Sequence, residues 1–212
     1  MAQPPPAPEW MRPLDPPWRA EPPVRVHDNP YFALDTYRAV APTGVEVDYF
    51  VQNFKNRACG VVALDADGCI YLVGQWRFPA GLYSWELPEG GVPPDEAVLD
   101  GAKRELREEA GITADHWRPI LTLHLSNASS DEVAELFLAT GLRPSTVEPD
   151  PTEALRIARV PFAEALAQAL AGRIVDSMTV AGLLRTHHMA VTGELGDELA
   201  QAVLSSRRED PT

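Results

Sequence analysis

Cysteine is scarce in this chain. Of 212 residues only Cys59 and Cys69 carry a thiol, and both lie in apolar, strand-like stretches. Two cysteines make neither a disulfide framework nor a zinc site, so a cytoplasmic protein with reduced thiols is expected. Positive charge is scarce as well: 18 Lys and Arg stand against 31 Asp and Glu, a formal net charge of −13. Such a chain repels polyphosphate backbones and anionic lipid, which argues against nucleic acid or a membrane surface as partner. No apolar run approaches the roughly 20 residues that cross a bilayer. The opening Met-Ala-Gln-Pro-Pro-Pro has neither a charged start nor an apolar core, so it does not read as a secretory signal.

Proline, by contrast, is plentiful, and it concentrates at the start. Residues 1–23 are proline-dense and poor in aliphatics, which predicts a flexible arm. Trp10 and Trp18 stand out there; docking onto the chain's own surface or a second copy is the simpler reading than a ligand role. Strand signals follow. Ala33 to Val40 and Val45 to Val51 flank Pro42-Thr43-Gly44, a hairpin pattern. A second hairpin is predicted from Arg57 to Asp65, a turn at Asp67-Gly68, and Cys69 to Trp76. The run Pro93-Pro94-Asp95-Glu96 opens a helical stretch that ends at Gly111. Further strands are expected over Trp117 to Leu125, Val133 to Thr140 and Leu155 to Val160. Helices are expected over Phe162 to Ala171 and Asp176 to Met189, before a charged, weakly helical tail. Strands with an embedded helix and closing helices indicate a mixed α/β sandwich rather than a doubly wound parallel fold.

The chemistry concentrates in the embedded helix. Glu105, Glu108 and Glu109 fall at i, i+3 and i+4, so one helical face carries all three carboxylates. Alone, such a triplet reads as a solvated acidic face relieved by Lys103, Arg104 and Arg107. The frame around it changes that reading. Gly90, five residues, Glu96, seven residues, then Arg104-Glu105-Leu106-Arg107-Glu108-Glu109-Ala110-Gly111-Ile112 form a complete Nudix box. Hard cations such as Mg²⁺ prefer oxygen ligands and commonly bridge carboxylates to substrate phosphates. Carboxylates on a rigid helical face preorganise such a site. Gly90-Gly91 suits a loop that brings backbone carbonyls close to a metal, and Gly111 a left-handed helix end. Ala102 and Leu106 should face the core, and Arg104 can reach Glu108 one turn later.

The chain therefore resembles the Nudix hydrolases, and within them the ADP-ribose pyrophosphatase group. Gly74-Gln75-Trp76-Arg77-Phe78-Pro79, followed by Trp85-Glu86-Leu87-Pro88-Glu89-Gly90-Gly91, is similar to that group's approach to the box. The resemblance spans about residues 25–190. It implies a Nudix-type α/β/α sandwich of mixed sheets with an N-terminal antiparallel β extension. The implied division is an arm over 1–23, a dimerising hairpin extension over 24–56, the Nudix domain over 57–191 and a tail over 192–212. It also implies Mg²⁺, or Mn²⁺, held by Glu105 and Glu109 with Glu108 shared and the backbone carbonyl of Glu89 completing the set. Glu96 would clamp Arg104 within the box framed by Gly90 and Gly111. Arg77 matches an arginine that contacts the diphosphate, and Arg57 holds a comparable place, although a plain surface arginine fits it equally. The catalytic base would be Glu153, in the acidic loop Glu148-Pro149-Asp150-Pro151-Thr152-Glu153. Glu132 is its alternative, and a box glutamate such as Glu108 takes the role if neither serves.

Other residues carry less. His187-His188 has no third ligand nearby in sequence, His124 reads as structural, and Trp85 either stacks on a base or packs in the core. The expected activity is hydrolysis of ADP-ribose or a related nucleoside diphosphate sugar by a homodimer. The same box would also serve nucleoside triphosphates or dinucleoside polyphosphates. A non-catalytic module that binds a nucleotide sugar is the remaining reading, against which the intact acidic box weighs.

Overall fold

A computed structural model of the chain describes residues 6–13, 15–146 and 154–205. It divides into two compact units, Met1–Asn53 and Phe54–Thr212.

In the first unit a short 3-10 turn, Glu9–Met11, precedes β1 (Arg19–Ala20), β2 (Val24–Asp28), β3 (Phe32–Val40) and β4 (Glu46–Phe54). β3 pairs with each of the other three strands. The β3–β4 turn is closed by Gly44, whose φ of 86° only glycine adopts without strain. Two features depart from the sequence reading. Residues 19–20 of the presumed arm pair with the end of β3, and Val24–Asp28 forms a strand of its own. Asp35 explains the second. Its buried carboxylate accepts from Arg25 of β2 and from Asn53 at 2.9 Å, a polar tie that the hydrophobic pattern does not encode. Trp18 meets Tyr49 edge-on at 5.4 Å, a contact within this unit.

The second unit is built from β5 (Arg57–Ala63), β6 (Cys69–Arg77), β7 (Leu82–Glu86), β8 (Glu89–Val92), α1 (Val98–Ala110), β9 (Ile112–His124), β10 (Val133–Pro144), β11 (Arg156–Pro161), α2 (Phe162–Leu170), α3 (Ser177–Val191) and α4 (Asp197–Ser205). One sheet runs β8-β5-β10-β9 and a second β11-β6-β7. The first is mixed, with β5 and β10 parallel at its centre. Its faces feed two cores. Cys59, Val61 and Ala63 pack with Ala102 and Leu106 of α1, whereas Val62 and Leu64 pack with Phe162, Leu183 and Met189 of α2 and α3. Helix on sheet on helix is the expected α/β/α sandwich.

The second predicted hairpin does not form. Past the Asp67-Gly68 turn the pairing goes no further than the Asp65 N–H bond to Cys69 O, at 3.0 Å, and the bridge Leu64↔Ile70, and β5 and β6 enter different sheets. β5 is apolar on both faces, the mark of a central strand, and local turn chemistry cannot reveal which neighbours such a strand takes. The helix begins at Val98 rather than at the prolines. Pro94 disfavours helical geometry at Pro93, and residues 93–96 turn instead, with Glu96 N donating to Pro93 O at 3.1 Å. The predicted Gly90-Gly91 loop is strand β8, paired with Cys59 and Ala58 of β5. The tail contributes α4, which buries Ala200 and Val203. It presses so closely on the β5–β6 turn that a Cβ at Gly68 would lie 2.3 Å from the Ala202 carbonyl oxygen.

Candidate active site

The rotation of α1 about its axis decides which carboxylates meet. Ala102 and Leu106 are fully buried in the core, and Gly101 lets the helix approach β8, where a Cβ would come within 2.5 Å of Val92. With that face anchored, Glu105 and Glu109 are also drawn into the interior, while Glu108 stays partly exposed. At the far end Gly111 takes φ 64° and its N–H donates to Arg107 O at 3.0 Å, closing the helix in the left-handed conformation.

Arg104 stands amid the first group. Its Nη1 donates to Glu105 Oε1 at 2.7 Å and to Glu108 Oε2 at 3.2 Å. Its Nε and Nη2 reach the Glu96 carboxylate at 3.2 and 2.9 Å, and Nη2 also reaches Gly91 O at 3.1 Å. The hydrogen-bonded carboxylates, Glu96 first, raise the pKa of the guanidinium. Gly90 serves by lacking a side chain, because an added Cβ would sit 2.4 Å from the Glu105 carboxylate. The neighbouring Cys59 thiol is pushed up to about 12, chiefly by burial and then by Glu105, so it is inert as a nucleophile at neutral pH.

A second group adjoins the first. Glu109 Oε2 accepts from the Glu89 N–H at 2.9 Å, joining α1 to the start of β8. Arg77 of β6 donates from Nε to both oxygens of the buried Glu86 on β7, at 2.9 and 3.0 Å, and from Nη2 to Glu89 Oε1 at 3.3 Å. The Glu89 carboxyl lies well above the usual carboxylate range, first because it is buried and then because Asp176 and Glu86 face it. Asp176 caps α3 by accepting from Thr179 N at 2.7 Å, and Thr179 Oγ1 in turn accepts from Leu87 N at 2.9 Å. That pair of bonds ties the start of α3 to the segment leading into β8. Between them lies an open cleft of about 440 Å³, lined in part by Arg77, Ser84, Glu86, Glu89, Asp176 and Ser177.

The remaining sequence candidates stand in other surroundings. Arg57 pairs with Glu135 of β10 at 2.9 Å. Trp85 packs against the α2–α3 core, edge-on to Tyr83 at 5.9 Å and with the Arg156 guanidinium 5.8 Å from its ring centre. Glu132 sits just before β10, its carboxyl raised by burial and by Asp131. Glu153 lies outside the described residues. His187 lines an apolar crevice beside Phe162 and Leu166. Glu86, Asp176, Ser84 and Ser177 went unassigned in the sequence. Glu86 was visible as the residue before Leu87-Pro88, but its partner Arg77 becomes evident only once β6 and β7 pair.

Among the described residues, no three acidic, histidine or cysteine side chains converge as a preformed metal cage. Mg²⁺ does not need one, since it commonly binds one or two carboxylates and keeps its other positions for water and phosphate. Two interior glutamates one helical turn apart, beside the Glu89 backbone, offer the hard oxygen donors such an ion takes.

The NUDIX domain model matches residues 54–178. The chain belongs to the Nudix family. It is 36% identical over 170 residues to an ADP-ribose pyrophosphatase of Mycobacterium tuberculosis, covering 76% of this chain and 79% of that one. It is 30% identical over 159 residues to a CMP-5'-(N-acetyl-N-hydroxy-3-aminopropyl)phosphonate hydrolase of Streptomyces rubellomurinus, covering 75% of this chain and 77% of the relative. A solved structure, that of an ADP compounds hydrolase, superposes with TM-score 0.74 at 21% identity over 84% of this chain and 95% of its own, a likeness of fold. This Nudix hydrolase thus carries its box on α1 and β8, with Arg77 at its border.

Proposed function

We propose that this Nudix hydrolase cleaves the diphosphate of ADP-ribose or a related nucleoside diphosphate sugar, releasing a nucleoside monophosphate and a sugar phosphate. One observation carries the reading: the interior glutamates of the box are continuous, through the Glu89–Glu109 bond, with a cleft walled by Arg77. Similarity to an ADP-ribose pyrophosphatase over three-quarters of the chain supports that choice of substrate.

Glu105 and Glu109, with Glu108 shared and the Glu89 backbone carbonyl beside them, would hold a divalent cation, Mg²⁺ or Mn²⁺. When bound, that cation supplies charge neutralisation for the diphosphate and Lewis acidity at phosphorus. Arg104 keeps the box carboxylates in register through Glu96, Glu105 and Glu108. Arg77, oriented by Glu86, presents its free donors to a phosphoryl oxygen as charge develops there. Glu153 takes the proton from the attacking water, with Glu132 and then Glu108 as alternatives; the P–O–P bond breaks as the P–O bond to water forms. Arg57 is assigned, like Arg77, to the phosphates of the substrate, and Trp85 to its base. The protein works as a cytoplasmic homodimer joined through residues 24–56, whose sheet exposes Val24, Val26, Tyr31 and Phe50. With a net charge of −13, nucleic acid is not its partner.

The test is turnover of ADP-ribose, other sugar nucleotides, nucleoside triphosphates and dinucleoside polyphosphates with Mg²⁺, followed as phosphate released by a coupled phosphatase. ADP-ribose or a sugar nucleotide should be cleaved best, EDTA should abolish turnover, and Glu109→Gln should remove it. Cleavage confined to triphosphates or dinucleotides would overturn the substrate assignment. Glu153→Gln should lower kcat about 10²- to 10⁴-fold, the usual range for a general base.

A further inference from the structure

Asp176 carries a carboxylate oxygen that the chemistry above leaves unused. One oxygen, Oδ2, is occupied in capping α3, where it accepts from Thr179 N at 2.7 Å. The other, Oδ1, has no hydrogen-bond partner among the described residues and is accessible to solvent. The residue is half-buried, and it lines the same cleft of about 440 Å³ as Arg77.

Its position is fixed from both sides. Ile174 before it and Met178 and Thr179 after it are buried, and Thr179 Oγ1 accepts from Leu87 N at 2.9 Å. Packed neighbours thus hold this carboxylate in place, which recognition of a ligand group requires.

The chemistry of the cleft says what such an oxygen can meet. A carboxylate oxygen accepts and cannot donate, so it takes an O–H or N–H donor or a cation. The diphosphate of a nucleoside diphosphate sugar offers only acceptors, whereas the pentose that adjoins it on either side carries hydroxyls. Ser84 and Ser177 add hydroxyls to the wall, able to donate or accept, and Pro79, Leu82 and Val175 add apolar surface for a ring face. With Arg77 in the same cleft to meet a phosphate, the adjoining pentose brings its hydroxyls to Asp176.

We propose that Asp176 is a specificity residue, whose Oδ1 accepts a hydrogen bond from a pentose hydroxyl of the substrate seated between β7 and the start of α3. The inference rests on the nucleotide-sugar reading and deepens it. A site built to bond a hydroxyl rejects the analogue that lacks it, because its polar group is then left unpaired.

The experiment uses three substrates. They are ADP-ribose, the β-methyl ester of ADP, which lacks the terminal pentose, and 2′,3′-dideoxyadenosine diphosphate ribose, which lacks the nucleoside diol. The unmodified protein should cleave at least one analogue with kcat/KM at least about tenfold below that for ADP-ribose. In Asp176→Ser the serine Oγ still caps α3 but the second oxygen is gone, so the preference over one analogue should shrink at least about tenfold. The analogue whose ratio shrinks names the pentose. Asp176→Asn also keeps the cap and puts an uncharged amide beside the hydroxyl, so it should lose part of the same preference. Thermal unfolding midpoints check that each variant is folded, and should one fail, the other gives the reading. Equal cleavage of all three compounds by the unmodified protein overturns this inference alone, as does a preference unchanged in the folded variants. Variants that lose rate on all three compounds and regain it with more Mg²⁺ assign Oδ1 to the cation, and overturn it too. Failure of the unmodified protein to cleave ADP-ribose overturns the proposed function and this inference with it.

Discussion

Gly90 shows how one missing side chain can govern a site. The Glu105 carboxylate occupies the space a Cβ would fill, 2.4 Å away, so any larger residue drives Glu105 off its position on α1. A displacement of about 1 Å in a catalytic constellation can lower the rate about a hundredfold. Gly90→Ala should therefore leave a folded protein, by thermal unfolding, whose kcat/KM for ADP-ribose is down by about that factor. A rate near the unmodified one would mean that Glu105 tolerates displacement and is not a ligand. At this scale the sequence was unusually legible. The box spacing named Glu105, Glu109, Arg104 and Glu96, and the structure puts Arg104 in contact with Glu96, Glu105 and Glu108. It was silent on Glu86 and Asp176, because each acquires its meaning from a residue on another element.

Single elements owe their ends to chemistry the sequence spells out and their neighbours to chemistry it does not. α1 stops at Gly111 because glycine alone accepts φ 64° freely, a boundary visible in the sequence. The turn between α3 and α4, in contrast, is held in part from a distant strand. Arg185 of α3 and Arg118 of β9 both hold Glu194, at 2.8 to 2.9 Å. The Arg185 guanidinium first, and Arg118 with it, lower the Glu194 carboxyl from its ordinary 4.5 to about 2. A group depressed on folding contributes stability above its unfolded pKa and loses it as pH falls through the folded one. The tie is thus intact above pH 4.5 and fades between 4.5 and 2. Urea midpoints measured over that window should fall less steeply for Glu194→Gln than for the unmodified chain; parallel curves would remove Glu194 from the acid response.

For the molecule as a whole, the division after Asn53 separates a unit built mainly of strands from the helix-and-sheet unit that carries the box. The first unit exposes Val24, Val26, Tyr31, Val45 and Phe50. Light scattering at activity-assay concentrations should return about twice the chain mass of 23.2 kDa, and Val26→Lys with Phe50→Lys should shift it toward the monomer. A monomer well above those concentrations would refute the dimer.

The sequence by itself determined the family, the helix that bears the carboxylates and most strand positions, because these follow from local periodicity and from a motif of contiguous spacing. Tertiary structure alone decided that β5 and β6 part into different sheets, since a strand apolar on both faces carries no mark of its partners. It also decided that Glu89 and Asp176, nearly ninety residues apart in the chain, line one cleft. Burial and pairing across that distance depend on how elements pack, and packing is a property of the folded whole.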